Sequence, residues 1–163
     1  MSVRKVCVYP DPVLREPTED ITSFGEELLE LVGDLWETMH VSDGIGLAGP
    51  QVGVPQKIAV IDYNGEKFVL INPVILEREG SKTVEEGCLS FPGIYEKVDS
   101  PELIKVRWQN EKGEFEERVI EGFLACVFSH EIDHLNGRLL IDRVSPLKRQ
   151  FLKKKLAKQA KEK

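Results

Sequence analysis

The sequence has few cysteines and no long hydrophobic run. Its 163 residues include only three cysteines, an odd and sparse set that argues against a disulfide framework. No apolar stretch approaches the roughly 20 residues that cross a bilayer. Basic residues and a proline interrupt the first ten positions, so these positions do not resemble a secretory signal. We therefore expect a cytoplasmic protein that makes no contact with a membrane.

Charge is distributed unevenly along the chain. The formal net charge is −6, but residues 148–163 contain eight basic residues and one acid, a net of +7. The remaining 147 residues therefore carry a net of −13. We expect one catalytic domain over residues 1–147 and a basic C-terminal helix over residues 148–163, packed on that domain or extending from it. A basic segment of this kind is either a solvated helix face or a contact for an anionic partner.

The order of predicted elements favours an α+β fold with mostly antiparallel sheets. Ser23 begins a capping box, and the helix that follows should end near residues 42–44. Apolar residues recur at helical spacing along this helix and predict one buried stripe of Leu28, Leu31, Val32, Leu35 and Met39. Strands are predicted at 57–63 and 66–72, around the hairpin signal Asn64-Gly65, and then at 74–79, 83–90, 103–109 and 115–120. These strands follow one another without intervening helices, which is the pattern of an antiparallel sheet.

Two helices are predicted after the strands. The first covers about residues 122–136 and is apolar on nearly every face, so we expect it to be buried at the centre of the fold. Gly137 is placed as the C′ residue of this helix, a position that favours left-handed backbone. The second begins at Ser145-Pro146, an N-cap followed by a first-turn proline. An apolar stripe should attach this last helix to the body; it comprises Leu147, Phe151, Leu152 and Leu156.

The segment His130-Glu131-Ile132-Asp133-His134 is the strongest chemical signal. Positions i and i+4 share one face of a helix, so both imidazoles can bind one metal ion. Glu131 is placed to take a proton from a metal-bound water. The chain has only three histidines, and two of them lie here. The segment therefore predicts a hydrolytic metal site.

The third metal ligand is left open by the pattern alone. Leu140 stands where a metzincin has its last histidine, which excludes that class. A downstream carboxylate, Asp142 or Glu162, would indicate a metallo-endopeptidase. Upstream, Cys88 is either a ligand or a small buried hydrophobic residue. A structural metal module without catalysis, such as a ribosome-binding factor, would need four protein ligands, and His40 is the remaining histidine.

The glycine-rich segment 44–49 matches the spacing of a dinucleotide-binding fingerprint. We reject that interpretation because the segment follows a helix instead of a strand, and because Gly49-Pro50 is a poor helix start. A loop whose backbone closely approaches a ligand is the better interpretation. Gln51 then offers an amide donor for an oxyanion.

Three motifs stand in order: GIGLAGPQ at 44–51, EGCLS at 86–90 and HEIDHLNG at 130–137. Together they resemble the peptide deformylase family of bacterial type, and the resemblance covers nearly the whole chain. It includes DPVLR at 11–15, Asn72-Pro73 and IDR at 141–143. It implies hydrolysis of the N-formyl group from the initiator methionine of nascent polypeptides, by a metal-bound hydroxide.

The resemblance also implies residue roles. Cys88, His130 and His134 would bind one divalent metal, with Fe²⁺ as the expected native ion and Zn²⁺, Ni²⁺ or Co²⁺ as substitutes. Glu131 would be the general acid/base. The oxyanion would be stabilised by the Gln51 side chain and the Leu89 backbone N–H.

Further residues are expected to contact the substrate. The resemblance implies that the Gly46 backbone binds the peptide. Cys126 and Val127 precede His130 by four and three residues on the same helical face. We expect these two to line a methionine pocket with Ile45 and Phe123, and we assign Glu86 to substrate binding as well.

Two positions depart from the family pattern. Gly49 stands where the family generally has alanine, and Ser129 stands where many members have glutamine. Both changes should affect rate and substrate fit more than the type of reaction. The resemblance further suggests that the basic helix docks at the ribosome, without sequence-specific recognition of nucleic acid.

Overall fold

The computed structural model describes residues 2–161, which form three α-helices and seven strands. The α+β class with antiparallel sheets is confirmed. No helix in the described range is long and apolar enough to cross a membrane. The elements are α1 Glu26–Val41, β1 Gly46–Ala48, β2 Ile58–Tyr63, β3 Glu66–Glu79, β4 Lys82–Cys88, β5 Phe91–Ser100, β6 Leu103–Gln109, β7 Phe115–Glu121, α2 Phe123–Leu135 and α3 Pro146–Lys161, with short 3-10 helices at Pro12–Arg15, Gly49–Val52 and Leu140–Arg143.

The strands form one five-stranded sheet, in the order β1-β2-β3-β6-β7, and a separate hairpin of β4 and β5. Asn64-Gly65 makes the predicted turn between β2 and β3, with both residues at positive φ. The predicted strands 66–72 and 74–79 are one strand, because β3 continues through an irregularity next to Asn72. Pairing of the whole sheet is antiparallel.

Strand β5 was not predicted from the sequence. Pro92 and Gly93 near its start are typical of a turn, and Gly93 does adopt φ +76°. The strand nevertheless continues to Ser100 and pairs with β4 along its length. This hairpin supplies one wall of the site described below.

Helix α1 has the predicted apolar stripe but not the predicted start. It begins at Glu26, and Gly25 is its N-cap without a side-chain hydrogen bond. The capping box from Ser23 is therefore wrong, since the chain enters the helix two residues later. The stripe formed by Leu28, Leu35 and Met39 is buried, as predicted.

Helix α2 lies between the five-stranded sheet and the β4–β5 hairpin. On one side, the Phe128 ring packs edge-on against Phe68 and Trp108, at centroid distances of 4.9 and 5.8 Å. On its other side, His134 reaches the end of β4. The helix ends at Leu135, and Gly137 adopts the left-handed φ of +71° that the sequence predicts.

For helix α3, the predicted N-cap is confirmed, but only half of the predicted apolar stripe is buried. The Ser145 hydroxyl accepts a hydrogen bond from the Lys148 backbone N–H at 3.2 Å. Leu152 and Leu156 are buried, whereas Leu147 is 80% and Phe151 60% exposed. Adjacent helix positions differ by about 100° in direction, so Leu147 and Phe151 form a neighbouring stripe that does not meet the body.

Candidate active site

Three potential metal ligands meet where α2 passes the end of β4. Ligand atoms of Cys88, His130 and His134 all lie within 4.8 Å of one another. The Cys88 sulfur is 3.3 Å from His134 Nε2. Cys88 is the last residue of β4, beside a register shift at Gly87, and this irregularity re-aims the strand end toward the helix.

The His130 ring is held from behind by a buried carboxylate. Glu86 Oε1 lies 3.0 Å from His130 Nδ1 and accepts a 2.7 Å hydrogen bond from Arg143 Nη1. Burial acts to raise the pKa of Glu86, but the contacts with His130 and Arg143 outweigh it and lower that pKa. An ionised carboxylate only accepts hydrogen bonds, so Nδ1 carries the proton and Nε2 is left as the lone-pair donor.

Glu131 is a buried carboxylate of the site with an unpartnered oxygen. It is 4% exposed, and its Oε1 atom has no hydrogen-bond partner among the described residues. Burial raises the pKa of Glu131 to about 7. Its other oxygen fills the space beside Gly46, where an added Cβ would lie 2.5 Å from Oε2. Glycine at this position therefore makes room for the carboxylate.

The residues present fit a catalytic divalent metal. One sulfur and two imidazole nitrogens converge, which is a donor set for Zn²⁺, Fe²⁺ and similar ions rather than for Mg²⁺ or Ca²⁺. The unpartnered Glu131 oxygen stands beside these donors. Three protein ligands with a free carboxylate nearby are the arrangement of a catalytic site, since structural zinc sites are closed by four ligands.

Gln51 is fixed in its orientation by three contacts. Its Oε1 accepts from the Ala48 backbone N–H at 3.0 Å. Its Nε2 donates to Ser90 Oγ at 3.1 Å and to Cys88 Sγ at 3.5 Å. The donor end of the amide thus faces the metal site.

The close packing around the glycine-rich segment that carries Gln51 explains why position 49 is a glycine. A Cβ on Gly49 would lie 2.8 Å from the Val54 carbonyl oxygen and 3.0 Å from that of Gln56. Alanine, which the sequence resemblance leads us to expect at this position, would require this backbone to move. The other departure, Ser129, is 2% exposed, and its hydroxyl has no hydrogen-bond partner within the described range.

A cavity of about 350 Å³ opens beside the candidate metal site, and Cys88 and His130 line it. It brings together all the residues that the sequence assigns to substrate contact and to the oxyanion. Its apolar wall combines partly exposed residues of the rim, Ile45 at 41% and Phe123 at 39%, with buried residues of α2. The predicted residues that line it are Ile45, Gly46, Gln51, Glu86, Leu89, Phe123, Cys126 and Val127.

The other candidate ligands lie outside this group. Both Asp142 oxygens accept from Arg15, at 2.7 and 2.8 Å. His40 Nε2 contacts an Asp62 oxygen at 2.9 Å. Glu162 lies outside the described residues. Fold and site together define a metal-dependent hydrolase whose third candidate ligand, Cys88, lies upstream of the helix. Asp142, the downstream carboxylate within the described range, is paired with Arg15 and does not join this group.

Comparison with known proteins identifies the family. The family model described as polypeptide deformylase matches residues 3–150. A peptide deformylase of Thermotoga petrophila is 49% identical over 153 residues, covering 93% of this chain and 93% of the relative. One of Acidobacterium capsulatum is 48% identical, covering 97% of this chain and 96% of the relative. The chain belongs to the peptide deformylase family.

Solved structures agree with this assignment. A peptide deformylase from Legionella pneumophila superposes with a TM-score of 0.93 at 41% identity, covering 98% of this chain and 96% of the other. One from Ehrlichia chaffeensis, in complex with actinonin, gives a TM-score of 0.93 at 34% identity, with 98% of both chains covered. The protein is thus a metallohydrolase that removes the N-formyl group from nascent polypeptides, and it uses a divalent metal.

Proposed function

We propose that Cys88, His130 and His134 hold the metal and that Glu131 moves the proton in deformylation. The observation that carries this proposal is the buried, unpartnered Glu131 carboxylate beside three converging ligand atoms. When bound, the metal supplies a Lewis acid that lowers the pKa of a water molecule toward about 7. Glu131 takes the proton of the attacking water and then delivers it to the leaving amine, so that formate and a free N-terminus are released.

Two donors stabilise the charge that develops on the formyl oxygen. The Gln51 Nε2 atom faces the site, 3.5 Å from Cys88 Sγ. The N–H group that now points at this sulfur would instead donate to the substrate oxygen. The Leu89 backbone N–H follows Cys88 at the same edge of the cavity. Gly46 would bind the peptide backbone through its own main chain. These donors act on an oxyanion that exists only along the reaction path, which is where such donors are most effective.

We further propose Fe²⁺ as the native ion, with Zn²⁺, Ni²⁺ or Co²⁺ able to replace it. The mixed sulfur and nitrogen donor set suits these metals. The methionine side chain would occupy the apolar part of the cavity, formed by Ile45, Phe123, Cys126 and Val127. Glu86, assigned to substrate binding from the sequence, lines the same cavity, but its Oε1 atom is engaged by His130 and Arg143.

The roles of Glu131 and Gln51 are tested together by substitution. Glu131→Gln should keep one equivalent of metal and lose turnover, because the amide cannot accept the proton. Gln51→Ala should keep the metal and lose about 10²- to 10³-fold in kcat, the usual effect of removing one oxyanion donor. Metal content and formate release are measured on the same samples. Loss of metal in Glu131→Gln would make Glu131 a ligand, and an unchanged kcat in Gln51→Ala would remove Gln51 from the mechanism.

The methionine pocket is tested by a change of size. Val127 is 5% exposed and lies on the helix face that carries His130. Val127→Phe should reduce kcat/KM for formyl-methionyl peptides more than for formyl-alanyl peptides, because the larger ring fills the pocket. The ratio of the two kcat/KM values is the readout. An unchanged ratio would exclude Val127 from the specificity pocket.

We propose that residues 1–147 act as the catalytic domain and that the basic segment 148–163 contacts the ribosome in the cytoplasm. Three consecutive exposed lysines on α3, at positions 153–155, support an electrostatic contact. Truncation is a poor test, because Leu152 and Leu156 are buried. Replacing the three lysines by glutamine should instead abolish salt-sensitive ribosome binding and preserve formate release. Undiminished binding of this variant would refute the contact.

A further inference from the structure

A chain of polar contacts runs from the segment before α3 to His130. The Arg143 side chain is 9% exposed. It donates from Nη1 to Glu86 Oε1 and from Nη2 to the Asp99 carbonyl oxygen, both at 2.7 Å. The same Glu86 oxygen lies 3.0 Å from His130 Nδ1. One carboxylate oxygen thus joins the guanidinium to the imidazole.

Arg143 is itself held by the segment that carries it. It ends the short 3-10 helix Leu140–Arg143. From one side, Arg149 of α3 donates from Nε to the Ile141 carbonyl oxygen at 3.0 Å. From the other side, Arg15 makes a two-pronged ion pair with Asp142. The segment that carries Arg143 is therefore held at Ile141 and at Asp142, and the contact at Ile141 remains when the Arg15–Asp142 ion pair is removed.

We propose that Arg143 is a positioning residue for the deformylation reaction, acting through Glu86 on His130. By gripping both Glu86 and the Asp99 carbonyl, its planar fork holds the carboxylate against Nδ1. The His130 ring is then kept in the tautomer and orientation that direct Nε2 to the metal. Removal of a hydrogen-bond partner behind a ligating histidine typically lowers metal affinity or activity by about 10- to 100-fold.

A simpler role for Arg143 would be to neutralise a buried carboxylate. That role affects stability, because an unpaired buried charge is strongly unfavourable. It does not require the fork geometry or any effect on the metal. The two roles can be separated in Glu86→Gln, which has no buried charge to neutralise. If Arg143 only neutralises charge, its removal from this variant should not affect the metal. If Arg143 positions the side chain at residue 86, its removal should still weaken metal binding.

The test measures Co²⁺ binding by competition with a chelator, the Co²⁺ absorption spectrum, and the His130 tautomer by ¹⁵N NMR of the metal-free folded protein. The variants are Arg143→Met, Arg143→Lys, Glu86→Gln and the double variant Glu86→Gln/Arg143→Met. Arg15→Met is the matched control, because it loosens the same segment without touching Glu86. Thermal unfolding of each variant reports stability separately.

Arg143→Met should weaken Co²⁺ binding by about 10- to 100-fold, alter the spectrum and give a mixture of His130 tautomers. Arg143→Lys should lose less, since a single ammonium cannot span both acceptors. The double variant, which leaves no unpaired buried charge, should still bind Co²⁺ more weakly than Glu86→Gln alone. Arg15→Met should lower Tm and leave Co²⁺ affinity and spectrum unchanged.

Equal Co²⁺ affinity in the double variant and in Glu86→Gln would overturn the inference and leave Arg143 a neutralising role only. Parallel losses in Arg143→Met and Arg15→Met would overturn it too. The inference rests on the proposed ligand role of His130, so His130→Ala is measured beside the others. If His130→Ala still binds Co²⁺, the proposed metal site is refuted. If His130→Ala loses Co²⁺ while the Arg143 variants bind it normally, only the positioning role of Arg143 is refuted.

Discussion

The substitution Gly46→Ala should disable Glu131 while leaving the fold and the metal in place. The new Cβ would lie 2.5 Å from Glu131 Oε2 and 2.8 Å from its carboxyl carbon. Ordinary contact begins near 3.4 Å, so the carboxylate must withdraw by about 0.9 Å or more. A displacement of about 1 Å in a reacting group can reduce the rate by about 10²-fold. We therefore expect kcat to fall by about two orders of magnitude.

The backbone of β1 should accept this change. Gly46 pairs with Ile61 in the sheet and does not have the positive φ that alanine avoids. The displaced group is the end of a side chain, so Tm and the ligand set should change little. The assay is formate release from an N-formyl-methionyl peptide under saturating substrate, with metal content and Tm measured on the same protein.

A matched glycine substitution controls for the general effect of an added methyl group. Gly25 has no atom within 4 Å of its would-be Cβ and lies at the start of α1, so Gly25→Ala should leave kcat unchanged. A wild-type kcat in Gly46→Ala would refute the reasoning, because the observed Glu131 position would then not matter. A rise in KM alone would mean that Gly46 acts on the bound peptide rather than on Glu131.

Three further outcomes are expected. Gly49→Ala should destabilise the protein by about 1–3 kcal/mol, the usual range for overpacking, because its Cβ would meet a backbone carbonyl oxygen at 2.8 Å; an unchanged denaturation midpoint would contradict this. Leu152→Ala should lower the free energy of unfolding by about 2–5 kcal/mol, because Leu152 is 2% exposed. Phe151 is 60% exposed, so Phe151→Ala should stay within about 0.5 kcal/mol of wild type. Equal losses of stability in the two variants would contradict the observed packing of α3. Partial burial acts to raise the pKa of Asp142, but hydrogen bonds from Arg15 and from a backbone N–H lower that pKa overall. The ionised Asp142 therefore stabilises the folded protein. This contribution is complete above the unfolded pKa of about 3.9 and is lost as pH falls through the lower folded pKa. Arg15→Met should therefore cost about 0.2–1 kcal/mol near neutral pH and less in acid, and a cost independent of pH would exclude the linkage.

Local patterns in the sequence predicted the elements that depend on neighbouring residues. The helix with His130 and His134 was placed within about one residue of its ends, and the Asn64-Gly65 hairpin and strand β6 were also correct. In each case the period of apolar residues and the turn or capping residues indicate the same structure, and this agreement makes such elements predictable.

The parts that were missed depend on contacts between distant segments. Strand β5 was hidden by Pro92-Gly93, and its pairing with β4 overrides the local turn preference. Helix α3 offers two apolar stripes of similar character, and only the packing decides that Leu152 is buried and Phe151 is not. The contact of Arg143 with Glu86 spans 57 residues, and no local pattern in the chain indicates it.

The candidate site shows the same division. His130, Glu131 and His134 follow from helical spacing alone. Cys88 could not be assigned from spacing, because the β4–β5 hairpin brings it to the helix from 46 residues before His134. The resemblance to the deformylase family supplied that assignment, and the geometry of the three ligand atoms agrees with it.

Formate release from an N-formyl-methionyl peptide, followed while the metal is removed and restored, tests the central claim most directly. We predict that the anaerobically Fe²⁺-loaded protein releases formate, that a chelator stops the release, and that added Fe²⁺ or Co²⁺ restores it in wild type but not in Glu131→Gln. Release that persists after complete removal of the metal would contradict the account. So would absence of release from wild-type protein that carries one equivalent of metal.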